Sequence, residues 1–314
     1  MIVEAKGVHK SFKEVEALRG LDLEVAEGEI LGVLGPNGAG KTTTINILTT
    51  LMRPDAGEVR VAGIDVLHDP AKVRPLIGLT GQFAALDGNL TARENLVLFG
   101  RLFKLGARDA ARRADELLEA FSLADAADRR TVTYSGGMRR RLDLAASMIG
   151  RPRVLFLDEP TTGLDPRSRN MLWDVVRQLR SEGVTVFLTT QYLAEADELA
   201  DRIVVIDKGT VIAEGTPARL KEVVGGAVCE VAVGEDLRDR VAGVLASRWE
   251  VTHTETQVIV PADGASTLFD VVRVLDEQSL IPDNISLRHP TLDDVFLALT
   301  GSATSSDAPA VDAS

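Results

Sequence analysis

Short apolar runs alternate with longer stretches of helical periodicity from the start of the chain to about residue 225. The runs at residues 30–34, 154–157, 185–188 and 203–206 are continuous rather than alternating, which is typical of strands covered on both faces. Strands of this kind with helices between them favour an α/β fold built on a mostly parallel sheet. We therefore expect one α/β domain over residues 1–225.

Residues 83–151 form an insert with a different pattern. Thr91 is followed by Glu94 and then by an apolar run, which matches a capping box at the start of a helix. Helical periodicity continues over residues 109–121. The insert is therefore predicted to be a helical subdomain.

Beyond Gly225 and Gly226 the elements become short and mixed, which predicts a small C-terminal α+β domain over residues 226–300. Residues 301–314 are small and polar and cannot build a core, so they are predicted to be a disordered tail. In the small domain, strands are expected at residues 228–233, near 251, at 258–260 and at 285–287, and helices at 237–247, 267–275 and 291–299.

The chain has 314 residues and a net charge of −12, because 47 acidic residues outnumber 35 basic ones. Binding to a phosphate backbone depends on Lys and Arg, so no nucleic acid is expected as a partner. The single cysteine, Cys229, excludes an intramolecular disulfide and fits a reducing compartment. The first residues lack the apolar core of a signal peptide, so we expect the cytoplasm. No apolar run approaches the roughly 20 residues that cross a bilayer, so a membrane role would require a partner.

The strongest chemical signal is the glycine-rich stretch GPNGAGKT at residues 35–42, which satisfies the pattern G-x4-G-K-[ST]. It directly follows the predicted strand at residues 30–34, as a phosphate-binding loop requires. Lys41 can reach the β- and γ-phosphates, and the Thr42 hydroxyl can bind Mg²⁺. The sequence therefore predicts a nucleoside triphosphate site made by Gly35, Asn37, Gly38, Ala39, Gly40, Lys41, Thr42 and Thr43.

Two carboxylates, Asp158 and Glu159, follow the apolar run at residues 154–157. They are expected at the carboxyl end of a parallel strand, the edge at which open α/β sheets bind ligands. A strand that simply ends in a polar turn is the alternative, but a pair of acids after a phosphate loop favours a site for Mg²⁺ and a triphosphate. We expect Asp158 to hold the metal and Glu159 to polarise the attacking water.

Ser135, Gly136 and Gly137 precede a predicted helix. Serine is an ordinary N-cap residue, so the tripeptide alone is compatible with a plain helix start. The same turn also offers a hydroxyl, bare amides and the positive end of a helix to a phosphate. Both interpretations stay open on the tripeptide alone.

Together these motifs resemble those of the ATP-binding subunit of an ABC (ATP-binding cassette) transporter, over residues 1–220. The resemblance implies a P-loop NTPase core of the ABC ATPase kind, with a small antiparallel β part and a helical insert. Residues 135–137 are similar to the family signature. Tyr134 stands where the family usually has Leu, and Met138 where it usually has Gln.

The resemblance also assigns roles to four further residues. Gln82 resembles the loop glutamine that contacts Mg²⁺ and water and couples to the membrane partner, and Asp165 resembles the loop residue that crosses to the other subunit. Phe12 matches the aromatic position that stacks on adenine, with an ordinary core phenylalanine as the alternative. Gln191 replaces the family's switch histidine; an amide can donate a hydrogen bond to the γ-phosphate but cannot carry a proton.

The segments TTQYLAEADELADRIVVIDKGTVIAEGTP and PTLDDVFLALTG resemble the daunorubicin/doxorubicin-resistance ATP-binding subunits. This resemblance implies an ATPase, with ATP and Mg²⁺ as cofactors, on the cytoplasmic face of the cell membrane. It would drive efflux of a hydrophobic drug or lipid through a separate permease, which residues 83–103 would contact. It would act as a head-to-tail, ATP-dependent dimer, expected to be a homodimer, with Ser135 and Gly137 facing the other chain's ATP.

The alternative function is a soluble ABC ATPase that acts on ribosomes or DNA, or a regulatory ATP-binding module. The chain has a single cassette and lacks a long coiled-coil insertion, which disfavours those relatives.

Five arginines concentrate around the signature, and their plain interpretation is a solvated helix face with local ion pairs. The alternative is a positive field directed at the nucleotide or at an anionic membrane surface. The arginines are Arg129, Arg130, Arg139, Arg140 and Arg141.

Overall fold

The computed structural model describes residues 1–81, 85–223, 225–254 and 256–300. The chain divides into two compact units, a first unit of Met1–Pro217 and a second unit of Ala218–Ser314. The expected boundary near residue 225 lies a little further along the chain, and the limits 1–225 and 226–300 stay a prediction. The predicted tail at residues 301–314 lies outside the described residues.

Strands and helices alternate along most of the first unit. Its strands are β1 (Val3–Phe12), β2 (Val15–Val25), β3 (Ile30–Leu34), β4 (Ala56–Val61), β5 (Ile64–Asp65), β6 (Ile77–Thr80), β7 (Val154–Asp158), β8 (Thr185–Thr190), β9 (Arg202–Asp207) and β10 (Thr210–Gly215). Its helices are α1 (Lys41–Leu48), α2 (Pro70–Val73), α3 (Ala92–Leu102), α4 (Ala107–Ala120), α5 (Gly136–Ser147), α6 (Pro166–Ser181) and α7 (Leu193–Leu199).

Among the described residues, these strands form two sheets. The larger has the order β10-β9-β3-β8-β7-β6 and is parallel except for β10. The smaller is antiparallel, with the order β2-β1-β4-β5. The predicted α/β fold with a small antiparallel part is confirmed.

The larger sheet is covered on both faces, as the continuous apolar runs predict. Leu155 and Leu157 of β7 join a core made with the helical insert and α6. Val154 and Phe156 of the same strand join a second core made with the antiparallel sheet and α1. Because every residue of β7 is buried, the strand ends with Asp158 held at a fixed place on the sheet edge.

The insert consists of α3, α4 and α5 and begins with the predicted capping box. The Thr91 hydroxyl accepts a hydrogen bond from the Glu94 amide at 3.2 Å, and the Glu94 carboxylate accepts one from the Thr91 amide at 2.8 Å. Tyr134, at the unusual position before the signature, is buried, and its hydroxyl donates to the Ala126 carbonyl at 2.7 Å. The helical subdomain is therefore present, and the tyrosine packs within it.

The second unit is a small α+β fold, and each element predicted over residues 228–299 has a counterpart there. Its sheet is antiparallel with the order β12-β13-β11-β14, the βαββαβ arrangement of ferredoxin-like domains. Cys229 and Val231 of the central strand pack on Val241 and Val271 of two helices. The elements are α8 (Pro217–Val223), β11 (Ala227–Ala232), α9 (Glu235–Leu245), β12 (Thr252–His253), β13 (Gln257–Ala262), α10 (Ala265–Glu277), β14 (Asn284–Arg288) and α11 (Leu292–Thr300).

No helix in the described part of the chain is both long and apolar enough to cross a membrane.

A chain that ends at residue 225 is expected to bind ATP with a dissociation constant within about threefold of the full chain, a difference below 1 kcal/mol. The physical reason is that the predicted phosphate-binding residues belong to the first unit, which has cores of its own. Titration with a fluorescent ATP analogue measures this, with the Lys41→Ala form of the same fragment as control. Loss of affinity in a fragment that keeps its circular dichroism contradicts the prediction.

Candidate functional site

The glycine-rich loop connects the end of β3 to the start of α1, as the motif predicts. Gly40 has a φ of 109°, in the left-handed region, and a Cβ there would lie 2.7 Å from Leu18 Cδ2 and 2.8 Å from the Ala17 carbonyl oxygen. No other residue fits this position without displacing the backbone. Of the predicted loop residues, Asn37, Gly38 and Thr42 are exposed, Thr43 is half-buried, and Gly35, Ala39, Gly40 and Lys41 are buried.

Lys41 is the buried cation of the loop. Its Nζ donates to the Gly35 carbonyl at 2.7 Å and to the Pro36 carbonyl at 3.2 Å, and lies 3.7 Å from Glu159 Oε1. Burial lowers the pKa of Lys41, and the charges of Glu159 and Asp158 oppose that shift. A charge in these poorly solvated surroundings interacts strongly with an anion brought to the loop.

Asp158 is oriented by hydroxyl groups from two other elements. The Thr42 hydroxyl donates to Asp158 Oδ2 at 3.1 Å, and the Thr189 hydroxyl donates to Asp158 Oδ1 at 2.6 Å. Thr42 lies in the first turn of α1 and Thr189 lies in β8, so one helix and two strands meet at this carboxylate. Hydroxyl and carboxylate oxygens are the ligands that Mg²⁺ prefers, so Thr42 and Asp158 fit that ion.

Glu159 has a strained backbone. Its φ is 47°, in the left-handed region, which costs a residue with a side chain about 1–3 kcal/mol. Its amide donates to the Thr189 carbonyl at 3.0 Å, and only 10% of its side chain is exposed. Strain of this kind is retained where the surroundings fix the conformation, and it concentrates at functional sites.

The signature residues lie at the start of α5, beside the start of α6. The Ser135 hydroxyl caps α5 by accepting from the Met138 amide at 3.2 Å. A Cβ on Gly137 would lie 2.4 Å from Ser168 Oγ, so glycine permits the two helices to approach. Asp165 caps α6 and accepts from the Ser168 amide at 2.9 Å. Ser135, Gly136 and Asp165 are exposed, whereas Lys41, Asp158 and Glu159 are gathered where β3 and β7 end.

The remaining predicted residues have different outcomes. Phe12 ends β1 with 44% of its surface exposed and Lys10 Nζ 5.6 Å from its ring centroid, so the interpretation as a core phenylalanine is wrong. Gln191 follows β8 directly and is half-buried. Gln82 lies outside the described residues.

The plain interpretation of the arginines is wrong for two of them. Arg140 is mostly buried, and its guanidinium donates to backbone carbonyl groups at the end of β7. Arg141 Nη1 donates to the carbonyls of Phe121 and Ser122 at 3.0 and 3.2 Å. Arg129, Arg130 and Arg139 are exposed, as that interpretation expects.

Two buried acids near the site were not predicted. Asp143 Oδ1 accepts from the Ala85 amide at 3.2 Å, and burial raises the pKa of Asp143 to about 6, against the charge of Arg140. Glu195 lies one turn beyond Gln191 and accepts from Trp173 Nε1 at 3.1 Å; burial raises its pKa as well. Acidic residues are rarely buried in proteins, so their residue type argued for exposure and the local pattern could not identify these two.

A phosphate loop at the end of one parallel strand, two carboxylates at the same edge of the sheet two strands away, and a helical insert whose last helix begins with Ser-Gly-Gly define an ABC-type ATPase. The family model described as ABC transporter matches residues 18–162. In solved structures, an ATP-binding cassette determined as a dimer in a post-hydrolysis state with ADP and Pi is 29% identical, with a TM-score of 0.63. The match covers 68% of this chain and 98% of that one.

Relatives match almost the whole chain. The daunorubicin resistance ATP-binding protein DrrA2 of Streptomyces coeruleorubidus is 56% identical over 96% of each chain. The doxorubicin resistance ATP-binding protein DrrA of Mycobacterium tuberculosis is 49% identical over 98% of this chain and 96% of its own. The Nod factor export ATP-binding protein I of Paraburkholderia xenovorans is 40% identical over 95% and 97%.

The chain therefore belongs to the family of ABC-transporter ATP-binding subunits, in the branch that contains the daunorubicin- and doxorubicin-resistance proteins. It binds and hydrolyses ATP and is the ATPase subunit of an exporter.

The pH dependence of stability is expected to differ between the wild type and Asp143→Asn. The pKa of Asp143 is about 6 in the folded protein, against an ordinary value of 3.8 for an aspartate in water, so the folded state binds its proton more tightly. This group therefore makes the free energy of unfolding rise as the pH falls through 6 towards 4. Between pH 7 and pH 5 the wild type should gain on the order of 1 kcal/mol relative to Asp143→Asn.

Urea unfolding of both proteins at the two pH values measures the difference. Other titrating groups are common to both proteins and cancel in the comparison. The same pH dependence in the two proteins contradicts the buried, proton-binding role of Asp143.

Proposed function

We propose that the chain drives efflux of a hydrophobic drug through a separate membrane permease, acting as a head-to-tail homodimer on the cytoplasmic face of the membrane. The observation that carries the proposal is the convergence of Lys41, Thr42, Asp158 and Glu159 at one sheet edge. A drug as cargo is supported by the names of the relatives, which confer resistance to daunorubicin and doxorubicin.

ATP binding is assigned to the loop and the start of α1. The backbone N–H groups of residues 37–43 surround the β- and γ-phosphates, at the positive end of the helix. Lys41 adds its charge, and Phe12 is exposed where it can stack on the adenine ring. Thr42, Asp158 and Gln82 would hold Mg²⁺, which supplies charge neutralisation on the triphosphate.

Hydrolysis is assigned to Glu159 with Gln191. Glu159 accepts a proton from a water molecule, whose oxygen then bonds to the γ-phosphorus. The bond from that phosphorus to the β–γ bridging oxygen breaks, and ADP and phosphate leave. Gln191 donates a hydrogen bond to the γ-phosphate. A bound triphosphate competes with Glu159 for the charge of Lys41, which frees the carboxylate to act as a base.

The dimer completes each site. Ser135, Gly136 and Asp165 are exposed, which supports their assignment to the ATP held by a second copy; Gly137, which is buried, is assigned to the same ATP through its backbone. ATP then joins the two subunits and hydrolysis releases them, a switch that a permease can follow. Residues 83–103 are assigned to the contact with the permease, and residues 226–300 to assembly or regulation.

Replacement of Glu159 by Gln should lower ATP turnover by about 10²–10⁴, the usual contribution of a general base. ATP binding should survive, and a dimer should accumulate when ATP and Mg²⁺ are added. Phosphate release and analytical ultracentrifugation measure the two effects. Glu182→Gln, the same change at an exposed carboxylate at the end of α6, is the control. Near-normal turnover in Glu159→Gln contradicts the assigned role.

The permease and cargo are tested with the full chain purified from its native membranes in mild detergent. A polytopic membrane protein should co-purify in stoichiometric amount. The reconstituted pair should then move daunorubicin across vesicles only with ATP and with intact Lys41. Transport of a lipid but not of the drug would correct the cargo. A chain that is absent from membranes and bound to ribosomes would contradict the proposal.

A further inference from the structure

Arg140 makes an unusual set of contacts. From α5, its Nε donates to the Pro160 carbonyl at 2.7 Å, and its Nη2 donates to the carbonyls of Asp158 and Glu159 at 3.2 and 3.3 Å. Its Nη1 donates to the Gly81 carbonyl at 2.5 Å, just beyond the end of β6. Only 11% of the side chain is exposed. One guanidinium thus binds three consecutive carbonyl groups of the turn formed by residues 158–160.

The 158–160 turn can present its carbonyls to one cation because Glu159 reverses the chain in a left-handed conformation. The opposite side of the turn is held by β8, since the Glu159 amide donates to the Thr189 carbonyl. Arg140 and Thr189 therefore fix the backbone of Glu159 from two directions. A strained residue stays in place only when contacts of this kind determine it.

The charge of Arg140 is partly balanced by Asp143 on the same helix, whose Oδ2 lies 3.7 Å from Arg140 Nη1. Asp143 also accepts a hydrogen bond from the Ala85 amide. The pair therefore connects α5 to Gly81 and Ala85, near the start of the insert. In the described part of the chain, α5 thus contacts both the end of β7, which leads to Glu159, and the segment that leads into the insert.

Arg141 provides an internal comparison. It follows Arg140 on α5 and also binds two backbone carbonyls, but these are Phe121 and Ser122 at the end of α4. Arg141 thus attaches α5 to the rest of the helical subdomain. Of these two arginines, Arg140 is the one that contacts the 158–160 turn.

We propose that Arg140 is a positioning residue that holds Glu159 in its catalytic conformation. It thereby couples that conformation to the position of α5, the helix that begins at the signature residues 135–137. The inference rests on the proposed function, in which Ser135 at the start of the same helix contacts the ATP of the second copy. The ATP of the second copy contacts Ser135 of this chain and, through α5 and Arg140, affects how firmly Glu159 of this chain is held at its own ATP. The two sites of the dimer are coupled through α5.

Arginine is required here because of its shape. The planar guanidinium offers donors in several directions at once, whereas the lysine ammonium is a compact point charge. Arg140→Lys keeps the positive charge but reaches fewer of the four carbonyls. It therefore tests positioning without removing the charge.

The test compares Arg140→Lys with Arg141→Lys in the full chain. We expect Arg140→Lys to lower kcat by about tenfold or more while the dissociation constant for a fluorescent ATP analogue stays within about twofold. Arg141→Lys should keep both values within about twofold. Arg140→Gln, which keeps an amide donor, is measured in parallel so that the conclusion does not depend on one variant folding.

The decisive measurement is the effect of Arg140→Lys in the Glu159→Gln background, by single-turnover hydrolysis. If Arg140 acts through Glu159, the second change should alter the residual rate by less than about twofold, because the group it positions is already gone. An equal loss of rate in both backgrounds overturns the inference and shows an ordinary structural role. Normal turnover in Glu159→Gln alone would instead overturn the proposed function.

Discussion

The parallel pairing of β3, β8 and β7 is the constraint on which the site depends. In this register Leu34 pairs with Thr190 and Asp158 pairs with Thr189, so the three strands end at one edge. The phosphate loop leaves that edge, and Asp158, Glu159 and Gln191 reach it on neighbouring strands. Residues far apart in the sequence therefore meet without any long side chain having to bridge them.

The same sheet edge brings two carboxylates, Asp158 and Glu159, close together, and their negative charges must be balanced. Asp158 is buried and is held by hydroxyl groups, while Glu159 lies near the buried Lys41. Lys41 is satisfied by backbone carbonyls of its own loop. This arrangement keeps the Lys41 cation and the Asp158 and Glu159 carboxylates side by side at the sheet edge to which we assign the triphosphate.

The sequence was informative wherever function depends on a local pattern. The buried strands, the phosphate loop and the capping box at Thr91 depend on neighbouring residues, and each lies where it was predicted. The roles of Arg140 and Thr189 could not be predicted, because they depend on which carbonyl or carboxylate the fold brings to them. The arginine run illustrates this limit, since Arg139 is exposed and the adjacent Arg140 is mostly buried.

We propose that each ATP site combines the phosphate loop of one chain with the signature of another. Mixing Lys41→Ala chains with Ser135→Arg chains and measuring ATP hydrolysis tests this arrangement. Each variant alone lacks one half of both sites, but a mixed dimer has one complete site. We expect each variant alone to be nearly inactive and the mixture to hydrolyse ATP at a rate well above the sum of the two. Wild-type turnover by Ser135→Arg alone would contradict it.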